Sequence, residues 1–161
     1  MLLSWHCFPR VPVYGTILPW KEQEDDPVEI REYTEYREDE IRRLYSAVGW
    51  TAYTEDMETL RQGFAHSLLT LAACENGELL GILRAVGDGC TIVHVQDILV
   101  FPEKQRQGVG KALLQALLDR YANVRQLGLV TDNTPKTVAF YRSMGFTELS
   151  EAGCCGFMRF R

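Results

Sequence analysis

Apolar runs bounded by turn signals predict three consecutive strands in a meander, Leu68 to Glu75, Leu79 to Gly87 and Thr91 to Val100. Asn76-Gly77 marks the first hairpin turn, and Gly87-Asp88-Gly89 marks the second. Ahead of them the pattern changes. A short strand near Val28 to Tyr33 is followed by a helix from Glu38 to Val48. That helix sets Ile41, Leu44, Tyr45 and Val48 on one face and stops at Gly49. Thr54 is placed to cap a second helix, Glu55 to Ser67, whose first turn is acidic.

After the meander, Val109, Ala112, Leu113, Ala116, Leu117 and Tyr121 recur at helical spacing and would cover a sheet. A short strand at Leu127 to Thr131 comes next. A helix then runs to Met144, with Thr134 as cap, Pro135 at its first position and Gly145 as its stop. Two strands, Phe146 to Ser150 and Gly156 to Phe160, are expected to close the chain. The order is β-α-α-β-β-β-α-β-α-β-β, an α/β fold. It implies a mixed, mostly antiparallel sheet of about six to seven strands with helices on both faces. Residues 1–27 sustain no period and mix aromatics with prolines, so they read as an extension ahead of one domain over 28–161.

Composition narrows the function. A length of 161 residues suits one domain with a proper core, and 46% hydrophobic with 24% charged residues is ordinary for a globular protein. A net charge of -5 argues against a nucleic-acid binder, whose partner demands a basic surface. The chain has no apolar run of membrane-spanning length, no secretory signal pattern, and five cysteines without a metal-ligand spacing. A cytoplasmic protein is expected, with no membrane partner.

The candidate chemistry lies between Asp97 and Leu118. A strand ends in Val100-Phe101-Pro102, a polar loop follows, and Gly108 and Gly110 open the helix. Glycines there leave no side chain over the first turn, so its free N–H groups and the positive end of the helix dipole can meet a phosphate. Lys104, Arg106 and Lys111 surround that turn. A P-loop is excluded because Gln105 stands at the first glycine position and Ala112 follows the lysine. A dinucleotide fingerprint is excluded because Leu113 replaces its third glycine. What remains is Q-x-x-G-x-G, from Gln105, Gly108 and Gly110.

That motif, after a strand and before a helix, resembles the acetyl-CoA motif of the GCN5-related N-acetyltransferases, the GNAT family. The stretch Thr131 to Phe146, with Phe140-Tyr141 and Gly145-Phe146, is similar to the family's second signature, in the expected order. The resemblance covers the chain from about Val28 onward. It implies direct acetyl transfer from acetyl-CoA to an amine in a ternary complex, without a metal. The alternatives are acetylation of a protein lysine or N-terminus, and a non-catalytic acyl-CoA sensor. Relatives often pair, so a homodimer is compatible with it.

Site residues follow from the same resemblance. Backbone groups of Leu99 and Val100 would pair with the pantetheine arm as with another strand, and Gln105, Arg106, Gln107, Gly108, Val109, Gly110 and Lys111 would hold the pyrophosphate. Asn133 stands one residue out of the family register, as a further donor contact. Tyr141 is the expected general acid for the leaving thiolate, since a phenol with a pKa of about 10 keeps its proton at neutral pH. Asp97 stands where many relatives carry an acid and is either the base or a buried acid paired elsewhere. Trp50 and Tyr53 fall in the loop that lines the acceptor pocket in relatives, as substrate contacts or as packing.

Overall fold

Asn76 and Gly77 both adopt positive φ, 52° and 82°, the pair of left-handed residues that a two-residue hairpin turn requires. The turn joins β2 (Leu69–Glu75) to β3 (Glu78–Gly87) in the computed structural model of the chain, which describes residues 28–159. The extension predicted over 1–27 lies outside the described residues. With β1 (Glu29–Glu32) and β4 (Ile92–Val100), these strands form an antiparallel set. β5 (Gln126–Leu129) pairs in parallel with the first half of β4, and α4 (Val109–Arg120) is the crossover between them. Among the described residues the sheet has five strands, in the order β1-β2-β3-β4-β5.

Two of the expected strands are missing from it. Phe146 to Ser150 forms no strand, and neither do the described residues of Gly156 to Phe160. Instead Glu148 and Glu151 both accept from Arg142, and turns run from 149 to 153. The described residues gather into two compact units, 28–131 and 132–159.

In the first unit helices occupy both sheet faces. α1 (Glu38–Ala47) and α3 (Met57–Ala65) bring Ile41, Leu44, Tyr45, Leu60 and Phe64 against Ala72, Ile82 and Leu99. Leu71, Leu83, Ala85, Val93 and Val95 turn to the other face, where α4 contributes Leu113, Leu114 and Leu117. Each fully buried aliphatic side chain is worth about 1.5–3 kcal/mol.

β4 serves both faces because it carries a bulge. Arg84 pairs with Asp97 but Ala85 pairs with Val95, so Gln96 is the extra residue. It flips the alternation: Val93 and Val95 face α4, while Asp97 and Leu99 face α1 and α3. Pairing with β5 also ends there, at Val95 and Leu129. Bulges of this kind re-aim side chains and end pairing beside functional sites.

The second predicted helix is two pieces, α2 (Thr51–Thr54) and α3. Thr54 does not cap. Its hydroxyl returns to the Thr51 carbonyl at 2.9 Å. Asp56 caps instead, accepting from the Thr59 N–H at 2.9 Å and the Thr59 hydroxyl at 2.7 Å. Those two bonds hold the Asp56 carboxyl below its ordinary pKa.

In the second unit the helix after the second signature forms as expected. α5 (Pro135–Ser143) starts on Thr134, whose hydroxyl accepts from the Thr137 N–H, and Gly145 follows its end at φ 86°.

Candidate active site

The loop from Gln105 into α4 is built to turn amides outward. Arg106 sits at φ 64° and Gly108 at φ 87°, left-handed positions one residue apart. A non-glycine residue there is uncommon and invites a functional reading. Among the described residues, no N–H group from Arg106 to Lys111 donates to a protein acceptor, and the helical ladder begins at Ala112 bonding to the Gly108 carbonyl. Successive amides in such turns form an anion-binding concavity. No acidic side chain occupies the first turn.

The two glycines have different reasons to be there. Gly108 is required by its own backbone angle. Gly110 is not: its φ is ordinary, and a Cβ would meet only Val100 Cγ2, at 3.8 Å. The described residues leave room for alanine at this place. Gly110→Ala is therefore expected to raise thermal stability, by about 0.5–1 kcal/mol as for other helical glycines. It should weaken CoA binding by about tenfold, the cost of an overpacked contact. Thermal melts and calorimetric titration of CoA on the same variant check both signs.

Lys104 does not join the cradle. It pairs with Glu75 at 2.8 Å. Arg106, Gln107 and Lys111 are exposed around the turn, and Gln107 ties its amide to the Glu103 carbonyl at 2.8 Å.

The neighbouring edge of β4 is unpaired beyond Val95 among the described residues, and Leu99 does not face it. Phe101 donates its N–H to the Leu80 carbonyl, which with the register gives β3 the backbone groups of Phe101, Leu99 and Asp97. Leu99 is thus committed to Ile82. Val100 and Ile98 point theirs to the open side beyond β5's last pair. Ile98 is the residue that the sequence reading missed, although alternation from Val100 leads straight to it. Gln105 donates its amide to the Val100 carbonyl at 3.1 Å.

Asp97 lies on β4 itself, on the α1 and α3 side, and is 1% exposed. Its Oδ2 accepts from Arg84 Nε at 2.5 Å and from the Tyr45 hydroxyl at 2.7 Å. Its Oδ1 is buried with no partner among the described residues. Burial, with the Asp97 charge beside it, pushes the Tyr45 phenol far above its usual pKa, so it remains a donor. Burial also works against the Arg84 charge, but Asp97 restores it and the guanidinium ends above its ordinary value. Of the two readings left open for Asp97, this is the buried, paired acid.

Arg84 continues from the pair into a cleft. Nη1 donates to the Gly63 carbonyl at 3.2 Å and to the Ser67 hydroxyl at 3.3 Å, and the guanidinium stands 5.4 Å from the Phe64 ring centre. A Cβ on Gly63 would come within 3.4 Å of Nη1, which is why a helix tolerates glycine there. The cleft, about 240 Å³, is lined by Ala52, Tyr53, Asp56, Leu60, Gly63 and Arg84. Tyr53 stacks on Trp50 with centroids 5.5 Å apart and rings inclined by 21°. Trp50 is no part of the cleft lining. Both rings remain 38% exposed.

In the second unit, Tyr141 is buried on α5 between Phe140 and Phe146, with ring centroids 5.0 and 5.8 Å away. Asn133 is exposed just before the helix cap.

A free strand edge leading to a helix start stripped for an anion is the layout of a domain that holds an extended, phosphate-bearing donor. The acetyltransferase (GNAT) domain family model matches residues 32–160, and the chain belongs to that family. A GNAT-family acetyltransferase from Streptococcus pneumoniae TIGR4 superposes with a TM-score of 0.75 at 37% identity, over 83% of this chain and 98% of that one. Serotonin N-acetyltransferase 2, chloroplastic, from Oryza sativa subsp. japonica is 31% identical over 112 residues, 66% of this chain and 54% of its own length. An uncharacterized N-acetyltransferase from Porphyra purpurea is 25% identical over 113 residues, 66% of this chain and 63% of its own length. The chain thus spans less than two thirds of these curated relatives.

Proposed function

We propose that the chain transfers the acetyl group of acetyl-CoA to the amine of a small molecule. The observation that carries this reading is the run of unpartnered N–H groups from Arg106 to Lys111. It lies at the end of an open β4 edge, over a glycine whose Cβ would meet only Val100 Cγ2, at 3.8 Å, among the described residues. Residues of this chain fit the donor along that line. Val100 and Ile98 would pair with the amide-bearing arm, and Gln105, Arg106, Gln107, Gly108, Val109, Gly110 and Lys111 would hold the diphosphate. The bound donor supplies an activated thioester.

In the overall change, the amine nitrogen forms a bond to the acetyl carbon as the carbon–sulfur bond breaks. One proton leaves the ammonium before attack, and a second, lost by the nitrogen as the amide forms, balances the one that reaches the departing sulfur. Tyr141 is assigned the transfer to sulfur. Before attack, an amine with a pKa of about 10.4 must give up its proton at a cost of about 4–5 kcal/mol at pH 7. Asp97 Oδ2 already accepts from Arg84 and Tyr45, and the residue is 1% exposed. We assign it instead to holding Arg84 and the sheet in place, a positioning residue.

A cleft of about 240 Å³ supports a compact acceptor over a polypeptide. So does the Oryza relative, named for a small amine. The test is thiol release from acetyl-CoA across a panel of amines and peptides, with calorimetric titration of CoA alongside. Turnover on small amines is expected. Peptide-only turnover would move the reading to protein acetylation, and CoA binding without turnover would leave a sensor. Absence of CoA binding in the intact protein would sink the assignment.

A further inference from the structure

Arg84 is more than nine-tenths buried, yet only part of its hydrogen-bonding capacity is used. Nε goes to Asp97, and Nη1 goes to Gly63 and Ser67. Nη2 has no acceptor among the described residues, while Arg84 forms part of the wall of the cleft. A guanidinium keeps its charge and its donors at every accessible pH, and Nη2 is not one of the sealed unpartnered atoms, so it is open to what enters the cleft. Something that enters the cleft is positioned to meet it.

We propose that Arg84 Nη2 reads a neutral oxygen, a hydroxyl or a carbonyl, on the amine that is acetylated. Arg84 is a specificity-determining contact. This inference rests on the transferase reading above and names the class of its acceptor. The neutrality of the oxygen follows from charge. Arg84 is already balanced by Asp97 at 2.5 Å, and Asp56 adds a second negative charge to the lining. A carboxylate placed there would leave excess negative charge in a partly desolvated cleft. A hydroxyl takes the free donor without adding charge. The rest of the lining is consistent: Ala52, Leu60 and the Tyr53 ring offer an apolar body to pack, and Asp56 favours a cationic amine over an anion.

The position of Arg84 supports the same role. It pairs across the sheet with Asp97, next to the bulge where β4 leaves β5. The Arg84 backbone therefore runs one strand spacing, about 4.8 Å, from the strand whose edge is assigned to the donor arm. Recognition and reaction lie on adjacent strands. Tyr45 and Asp97 hold the guanidinium in one orientation, so that Nη2 alone is left for the ligand.

Three matched amines test this on the unmodified protein: phenethylamine, tyramine, which adds a hydroxyl, and 4-(2-aminoethyl)benzoate, which adds a carboxylate. Tyramine should exceed phenethylamine by about 10- to 100-fold in kcat/KM, the usual effect of one hydrogen bond to a charged group. The benzoate should gain nothing. Arg84→Lys, which keeps a cation opposite Asp97, should erase the tyramine preference through KM while the KM for acetyl-CoA stays unchanged. Equal rates for the three amines, a preference for the benzoate, or a preference that survives in a folded Arg84→Lys variant would overturn the inference and leave the transferase reading standing. CoA binding with no turnover on any amine would overturn both.

Discussion

Asp97→Asn is expected to destabilise the protein by about 3–5 kcal/mol, the usual result of removing one partner from a buried ion pair. The carboxylate is 1% exposed and the Arg84 guanidinium 7%, and arginine cannot shed its proton to escape. The variant therefore buries an uncompensated cation beside Phe64 and beneath α3. Against a typical total stability of 5–15 kcal/mol, that is a large fraction, and urea melts would register it directly. Replacing both partners together, Arg84→Leu with Asp97→Leu, should cost much less, because no charge is then left alone.

The same variant separates two roles for Asp97. A general base takes up the proton of the amine, so its loss flattens the pH dependence of kcat/KM. A positioning residue leaves the shape of that profile unchanged and lowers its height in the folded fraction. The geometry, with Oδ2 held by Arg84 and Tyr45, leads us to expect the second outcome.

Asp97 also shows where a linear reading meets its limit. Val93, Val95, Asp97 and Leu99 alternate without a break, which reads as one buried face. Burial confirms each of them, yet they serve two faces. The cause is the bulge at Gln96, a backbone event with no side-chain signature of its own. The same local pattern hid which residues face the open edge, because hydrogen-bond phase depends on where pairing with β3 begins. The backbone groups of Leu99 bond to β3, and those of Ile98 and Val100 face the open side.

Signals that are local in chain and in space were legible. Asn76-Gly77 became a turn with both φ positive, Thr134-Pro135 started α5, and the helix start at Gly108 lost its amide partners as expected. Competition among near-equal local signals was not legible. Thr54 and Asp56 both suit a cap, and a carboxylate that accepts twice from Thr59 prevails. The two missing strands share a cause of another kind. Apolar residues such as Phe146 and Phe157 suit strands by propensity, but strand formation depends on an available partner more than on propensity. Phe157 is 95% exposed. The Arg84 cleft had no sequence signature, because Ala52, Asp56, Gly63 and Arg84 meet only through the packing of α2 and α3 over β3.

Tyr141→Phe is expected to lower turnover by about 10²-fold or more, the usual contribution of general acid catalysis. The variant is expected to fold. The ring's contacts with Phe140 and Phe146, at 5.0 and 5.8 Å, are apolar and survive the change. The Michaelis constant for acetyl-CoA should also hold, since diphosphate recognition is assigned to backbone amides that this substitution leaves alone. The loss should therefore appear in kcat with the donor still bound. A substitution that merely disturbed packing would lower the melting temperature and raise both Michaelis constants together. Steady-state kinetics beside a thermal melt separates those cases, and wild-type kcat in the folded variant would remove Tyr141 from the chemistry.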